Sequence, residues 1–153
     1  MSLLLRMYDG SYIWARQLIR DRYSPIGRGM LTGQIKSPDD IPEGDFRKTI
    51  PRFHPEHFDN NLALVRELNK IAQRNGKITP AQLAINWVRQ QSKLNGNPEI
   101  IPIPGSRREE GVLENSKVID LGADDLAEID LILQRFEVSG TRYGGHALAH
   151  LEG

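Results

Sequence analysis

The stretch from Thr79 to Lys117 constrains the fold more than any other part of the chain, because it alternates helix and strand. Thr79 ahead of Pro80 is an N-cap followed by a proline at the first helical position. Leu83, Trp87 and Val88 then share one face, with Ala84 beside them, out to about Gln91. SKLNGNPE at 92–99 is a turn, and Ile100, Ile101 and Ile103 with Pro102 make a short β-branched run suited to a buried strand. Pro104-Gly105-Ser106 ends that run, and EEGVLEN continues as a helix in spite of Gly111. Helix, strand, glycine turn and helix in that order are the signature of an α/β protein whose strands lie parallel.

Elsewhere the pattern is mostly helical. Leu62, Val65, Leu68, Ile71 and Ala72 recur at helical spacing behind Asn60 and Asn61, and Asn75-Gly76 is a stop signal. After Gly122, Asp124 is placed to cap a last helix bearing Leu126, Ile129, Ile132, Leu133 and Phe136. The spacing predicts helices at about 60–75, 80–91, 107–118 and 124–136, and a strand at about 100–103. Residues 1–22 carry Ile13, Trp14 and Leu18 between arginines and read as a short amphipathic helix or an irregular extension. Residues 34–54, with Pro38, Pro42 and Pro51 among charges, read as a surface loop, and 139–153 as a loose tail.

Composition narrows the function classes. The 153 residues suit one domain, and 20 Lys+Arg against 20 Asp+Glu leave no overall basic field for nucleic acid or an anionic membrane. Any anion site must therefore be a local cluster. With no cysteine there is no disulfide framework, no thiolate nucleophile and no Cys-ligated metal, which fits a cytoplasmic location. Leu3 to Leu5 is far too short an apolar run for a signal peptide or a membrane span.

Two glycine turns are local clusters of the required kind. In IPIPGSRREEGVLEN a turn follows a strand and opens a helix, where backbone N–H groups meet the positive end of the helix dipole. Arg107 or Arg108 can fork onto a phosphate there, Ser106 adds a donor and Gly105 permits close approach. The same residues read equally well as a turn into a helix whose arginines are solvated and paired with Glu109 and Glu110. The earlier turn, YSPIGRG, offers Ser24, Arg28 and the aromatic Tyr23, and reads either as a second anion loop or as a plain surface loop.

Taken together the two turns resemble those of the aldo-keto reductases, and residues 23–143 resemble the C-terminal part of that superfamily. The likeness is to the branch with pyridoxal reductase and auxin-induced-protein-like members. YSPIGRGMLTG at 23–33 is similar to that branch's tyrosine-serine-proline-leucine-glycine loop, and IPIPGSRREEGVLEN at 101–115 to its eighth-strand motif. DFRKTIPRF at 45–53, the NNLALVRELNKIA helix and TPAQLAINWV at 79–88 stand between them in the usual order.

The resemblance implies an eight-stranded (β/α) barrel that moves a hydride between NADPH and a small-molecule carbonyl, without a metal, and reversibly for alcohols. It implies that Tyr23 stacks on the nicotinamide and that Ser24, Pro25, Ile26, Gly27 and Arg28 line the pyrophosphate. Gly105, Ser106, Arg107, Glu114 and Asn115 fall on positions that grip the adenosine and its 2′-phosphate. Arg47 and Arg52 lie in the loop that folds over the cofactor, and Tyr143, in GTRY, matches a tail motif whose role the resemblance does not supply. Gln34 stands where relatives carry lysine, and Gly111 where they carry Gln, His or Arg, so the grip there is expected to be weaker.

Such a barrel needs about 250 residues, so only its last two units are expected, incomplete and mostly helical. The tyrosine, lysine, aspartate and histidine of the family's hydride-transfer machinery have no counterpart here, and no catalytic residue is assigned. Because Arg20, Asp21 and Arg22 cannot all sit inside a closed barrel, residues 1–22 read as a non-homologous or misassembled segment, 23–138 as the reductase part and 139–153 as the tail. Three outcomes follow for the chain: an NADP-dependent oxidoreductase, a nucleotide-binding or regulatory piece without chemistry, or a non-functional truncated product. His54 with His57, His146 with His150, and Asp39-Asp40 with Glu43 are read as solvated side chains rather than metal ligands.

Overall fold

A computed structural model describes residues 20–76, 78–94 and 97–143. The order of regular elements is β1 (Arg20–Tyr23), α1 (Pro55–Arg74), α2 (Pro80–Gln90), β2 (Ile100–Ile103), α3 (Glu109–Ser116) and α4 (Ala123–Arg135). The two strands pair in parallel, Arg20 opposite Ile100 and Tyr23 opposite Ile103. Helix α2 lies against β2, and α1 packs against both α2 and α4. Among the described residues these make two adjacent strand-and-helix units and no closed barrel. Among the described residues no helix is long and apolar enough to cross a membrane.

The first strand corrects the expectation of a helix or irregular extension before Tyr23, at least for residues 20–23. That expectation rested on keeping two arginines and an aspartate out of a closed barrel. In a two-stranded sheet no closed interior exists, and pairing needs only the backbone N–H and C=O groups that β2 presents. Residues 1–19 and 144–153 lie outside the described part, and with them the apolar spacing at Ile13, Trp14 and Leu18 and the pair His146 and His150.

Three other local expectations shift. Helix α1 begins at Pro55, five residues before Asn60, because a proline suits the first helical position and His54 is extended ahead of it. Helix α4 has Gly122 as its N-cap, with no side-chain cap, so Asp124 does not serve as one. Residues 34–54 form a series of short 3-10 turns at Pro38–Asp40, Phe46–Thr49 and Pro51–Phe53. The apolar residues Ile41, Ile50 and Phe53 bury between the charges and pin the loop to the core.

The core gathers Phe58, Leu68 and Ile71 of α1, Leu83 and Trp87 of α2, and Ile129 of α4. Along α2 a stripe of amides four residues apart, Gln82, Asn86 and Gln90, is also buried. Asn86 donates to the Lys117 carbonyl (3.0 Å) and accepts from the Ile119 N–H (2.9 Å), while Gln90 does both for Leu121 at 3.1 and 3.0 Å. Gln82 donates to the Glu114 carbonyl (3.2 Å). The link 117–121 thus satisfies its backbone on helix side chains, as a strand would on a neighbour.

The start of the tail is held as firmly. Buried Asn61 donates to the Ser139 carbonyl (2.9 Å) and accepts the Ser139 N–H (2.9 Å), and Arg52 Nε donates to the Gly140 carbonyl (3.1 Å). His57 Nδ1 shares a hydrogen bond with Ser139 Oγ at 2.7 Å. The expectation of a loose tail therefore fails for 139–143. Gly140 has φ +79°, and a Cβ there would stand 2.9 Å from both the Pro51 carbonyl carbon and the Arg52 nitrogen.

Candidate functional site

Because Tyr23 and Ile103 are opposite each other in a parallel pair, the two glycine turns leave the same end of the same sheet. The C-terminal ends of parallel strands are where such folds hold ligands, since loops meet there while the scaffold stays rigid. The turns open onto one cleft of about 780 Å³, lined by Ser24, Ile26 and Arg28 from the first, Ile103, Gly105 and Arg107 from the second, and Asp45, Phe46 and Arg47 from the loop between. Gly29 and Gln34 complete its wall.

The first turn is bent by residues in the left-handed region: Ser24 at φ 56°, Gly27 at 58°, Arg28 at 56° and Gly29 at 95°. Two of the four carry a Cβ, a local strain of about 1–3 kcal/mol each. Gly27 N–H bonds to the Ser24 carbonyl (2.9 Å), and Gly29 and Leu31 N–H to that of Ile26 (3.0 and 3.2 Å). Those three donors are thereby taken within the turn.

Arg28 lies over the ring of Phe46, 5.6 Å from its centre, and over that of Tyr143 at 4.9 Å. Its Nη1 donates to the Arg142 carbonyl at 3.2 Å. Arg47 is gripped on two sides by Asp45, Nε to Oδ1 at 3.0 Å and Nη2 to Oδ2 at 2.8 Å, while the same carboxylate accepts the Arg47 N–H at 2.8 Å. These hydrogen bonds, with the nearby charges of Arg47 and Arg107 and against slight burial, hold the Asp45 carboxyl down at about 2. Arg52, behind the cleft, is lowered to about 10 by burial and by the charges of Arg142 and Arg28, so it stays charged at neutral pH.

The structure brings together seven of the residues singled out from the sequence in this cleft: Ser24, Ile26, Arg28, Gln34, Arg47, Gly105 and Arg107. Tyr23 is the last residue of β1, immediately before Ser24. Pro25 is fully buried, and Gly27 faces a smaller apolar cavity with Met30, Leu31, Ile50 and Phe53. Ser106 Oγ folds back on its own turn, donating to the Arg108 carbonyl (2.9 Å) and accepting its N–H (3.3 Å). This conformation depends on Gly111, where a Cβ would fall 2.3 Å from Ser106 Oγ. Glu114 and Asn115 are on α3 and do not line the cleft; Glu114 Oε1 accepts from Thr79 Oγ1 at 2.5 Å.

Sequence reasoning missed Asp45 and Phe46. Asp45 is the N-cap of a 3-10 turn and the anchor of Arg47, a role that its place two residues before an arginine could have suggested. Phe46 is 63% exposed beside the cleft, unusual for so large an apolar ring. The remaining histidines are engaged within the fold: His54 Nε2 meets the Lys48 carbonyl at 3.1 Å, and His57 meets Ser139. Among the described residues no three metal-ligating side chains cluster.

Residues 18–134 match the model of the aldo/keto reductase family. The chain is similar to the aldo-keto reductase yakc of Schizosaccharomyces pombe, whose name specifies NADP(+), at 44% identity over 123 residues, covering 79% of this chain and 34% of that protein. It is also similar to the aldo-keto reductase str7 of Strobilurus tenacellus, at 38% identity over 122 residues, covering 78% and 34%. Among solved structures it resembles the glycerol dehydrogenase AKR11B4 from Gluconobacter oxydans, with a TM-score of 0.63 and 26% identity, over 78% of this chain and 35% of that one. The chain thus spans about a third of the length of the relatives it matches.

Proposed function

Since this chain belongs to the aldo/keto reductase family and has the fold of part of its (β/α) barrel, we propose that it supplies the NADP(H)-binding part of a carbonyl reductase. The observation that carries this reading is the convergence of the two glycine turns on one cleft with Arg28, Arg47 and Arg107 around it. A cleft of about 780 Å³ is in the size range of cofactor sites. Three guanidiniums suit a ligand with several phosphate groups, and a fork onto a 2′-phosphate favours NADP over NAD. The name of the Schizosaccharomyces pombe relative points to the same cofactor.

The nicotinamide, when bound, supplies the hydride for reduction of an aldehyde or ketone and takes it back from an alcohol. The part played by this chain is to hold the nucleotide: Arg107 at the 2′-phosphate, Arg28 at the pyrophosphate, Gly105 permitting close approach and Tyr23 beside the ring. Glu114 and Asn115 join the adenosine grip only if Glu114 leaves Thr79. On this reading, residues 23–138 are the reductase part and 139–153 its tail.

A second reading, nucleotide binding without chemistry, is favoured by the cleft wall itself. Its described lining includes no lysine and no histidine, and its one carboxylate, Asp45, is engaged with Arg47. Fluorescence titration of the 153-residue chain with NADPH, followed by NADPH consumption on an aldehyde panel, separates the readings. Saturable binding without turnover supports the binding piece, binding with turnover the reductase, and no binding overturns both.

A further inference from the structure

The tail motif GTRY matches a pattern whose purpose the resemblance does not supply, yet its two last residues contact the first glycine turn. Arg28 donates to the Arg142 carbonyl at 3.2 Å and lies 4.9 Å from the centre of the Tyr143 ring. It also lies 5.6 Å from the centre of the Phe46 ring. The guanidinium that borders the cleft is therefore close to two rings, one from the loop over the cleft and one from the tail.

The tail is built to deliver that ring. Asn60 donates to the Glu137 carbonyl (2.7 Å), Asn61 pairs with Ser139 in both directions, and Arg52 holds the Gly140 carbonyl. Gly140 passes so close to Pro51 and Arg52 that a Cβ would collide with their backbone. Three residues beyond that anchor the chain reaches Arg28. A long arginine side chain loses rotamer freedom when a ligand freezes it, and one already held against rings has lost much of that freedom beforehand.

We propose that Tyr143, with the carbonyl of Arg142, is a positioning residue for Arg28, so that the tail sets how tightly the cleft holds phosphate. The proposal rests on the nucleotide reading of the cleft, and its test separates the two.

The test uses the full 153-residue chain, the variants Tyr143→Phe, Tyr143→Ala, Arg28→Ala and Arg28→Ala/Tyr143→Ala, NADPH titration, and amide hydrogen exchange over 139–143. The expected result is about threefold to tenfold weaker NADPH binding for Tyr143→Ala, in keeping with the loss of one cation–π contact, and rescue to within about twofold by Tyr143→Phe. The double variant should bind no more weakly than Arg28→Ala alone, because on this assignment the influence of Tyr143 on the cleft passes through Arg28. Exchange over 139–143 should accelerate in Arg28→Ala while that of α2 stays unchanged. Multiplicative losses in the double variant, or unchanged tail exchange in Arg28→Ala, would overturn the assignment. Absence of NADPH binding by the wild-type chain would overturn the nucleotide reading instead, and the exchange measurement would still decide the link between Arg28 and the tail.

Discussion

Asn86 shows at the scale of one residue what a helical pattern leaves out. It lies on α2 between Leu83 and Trp87 and is 1% exposed, so its burial follows from the same periodicity that identified the helix. What the period cannot say is that its amide bonds Lys117 and Ile119 across the chain, since those partners stand some thirty residues away. Asn86→Ala leaves one carbonyl and one N–H without a partner and should lower stability by about 2–4 kcal/mol in a urea titration, whereas solvent-facing Lys70→Ala should change it by less than about 0.5 kcal/mol. Asp45 gives a second residue-scale expectation. Its carboxyl sits at about 2 rather than 3.8, so the ionised form is favoured by the fold. Its stabilising contribution is complete above about pH 4 and is lost as pH falls toward 2. An NMR titration of the Asp45 carboxyl should show that low midpoint and its return toward 3.8 in Arg47→Ala; a midpoint near 3.8 in the wild type would contradict the Asp45–Arg47 fork.

At the scale of elements, legibility followed burial. Helices α1, α2 and α4 announce themselves by apolar stripes, because each buries one face in the core; β2 is legible by its β-branched residues alone, and the expectation of a buried strand holds only for Ile100, since Ile101 and Ile103 are exposed. Strand β1 does not announce itself: Arg20-Asp21-Arg22 has no β-branched residue, and its pairing is templated by the backbone of β2. The 3-10 turns of 34–54 read in the sequence only as a loop, since four buried apolar residues, Ile35, Ile41, Ile50 and Phe53, scattered among many charges make no period. The site followed the same rule. The glycine turns were legible as motifs, but their meeting at one cleft needed the parallel pairing of two strands, one of which the pattern hid. The tail strap was illegible for the same reason, as it depends on Asn61 lying inside α1. Gly140→Ala should dislodge the strap, combining a left-handed φ of 79° with two backbone contacts of 2.9 Å, at a cost of about 1–3 kcal/mol. Faster amide exchange over 139–143 with α2 unchanged is the expected reading, and unchanged exchange would show that the strap yields without penalty.

At the scale of the whole molecule, the described residues form two βα units that leave apolar side chains exposed. Ile101 and Ile103 on β2 are 39% and 48% exposed, and Val112, Leu113 and Val118 stand in solvent around α3. A two-stranded sheet is marginal by itself, and exposed apolar surface of this kind promotes association. The isolated chain should therefore bind a hydrophobic dye and melt over a broad range, and Ile101→Thr/Ile103→Thr should reduce dye binding without lowering the midpoint. A sharp cooperative melt with no dye binding would show that the two units form a self-sufficient core. The central claim concerns the cleft that these units do form, and the most direct measurement is the ratio of NADPH to NADH affinity in the wild type, Arg107→Ala and Arg108→Ala. Arg107 lines the cleft and Arg108 does not. The account predicts a clear NADPH preference that Arg107→Ala reduces about tenfold to a hundredfold and Arg108→Ala leaves intact, as expected for loss of one charge-assisted hydrogen bond. Equal affinity for the two nucleotides in the wild type, or a preference erased by Arg108→Ala and kept by Arg107→Ala, would contradict it.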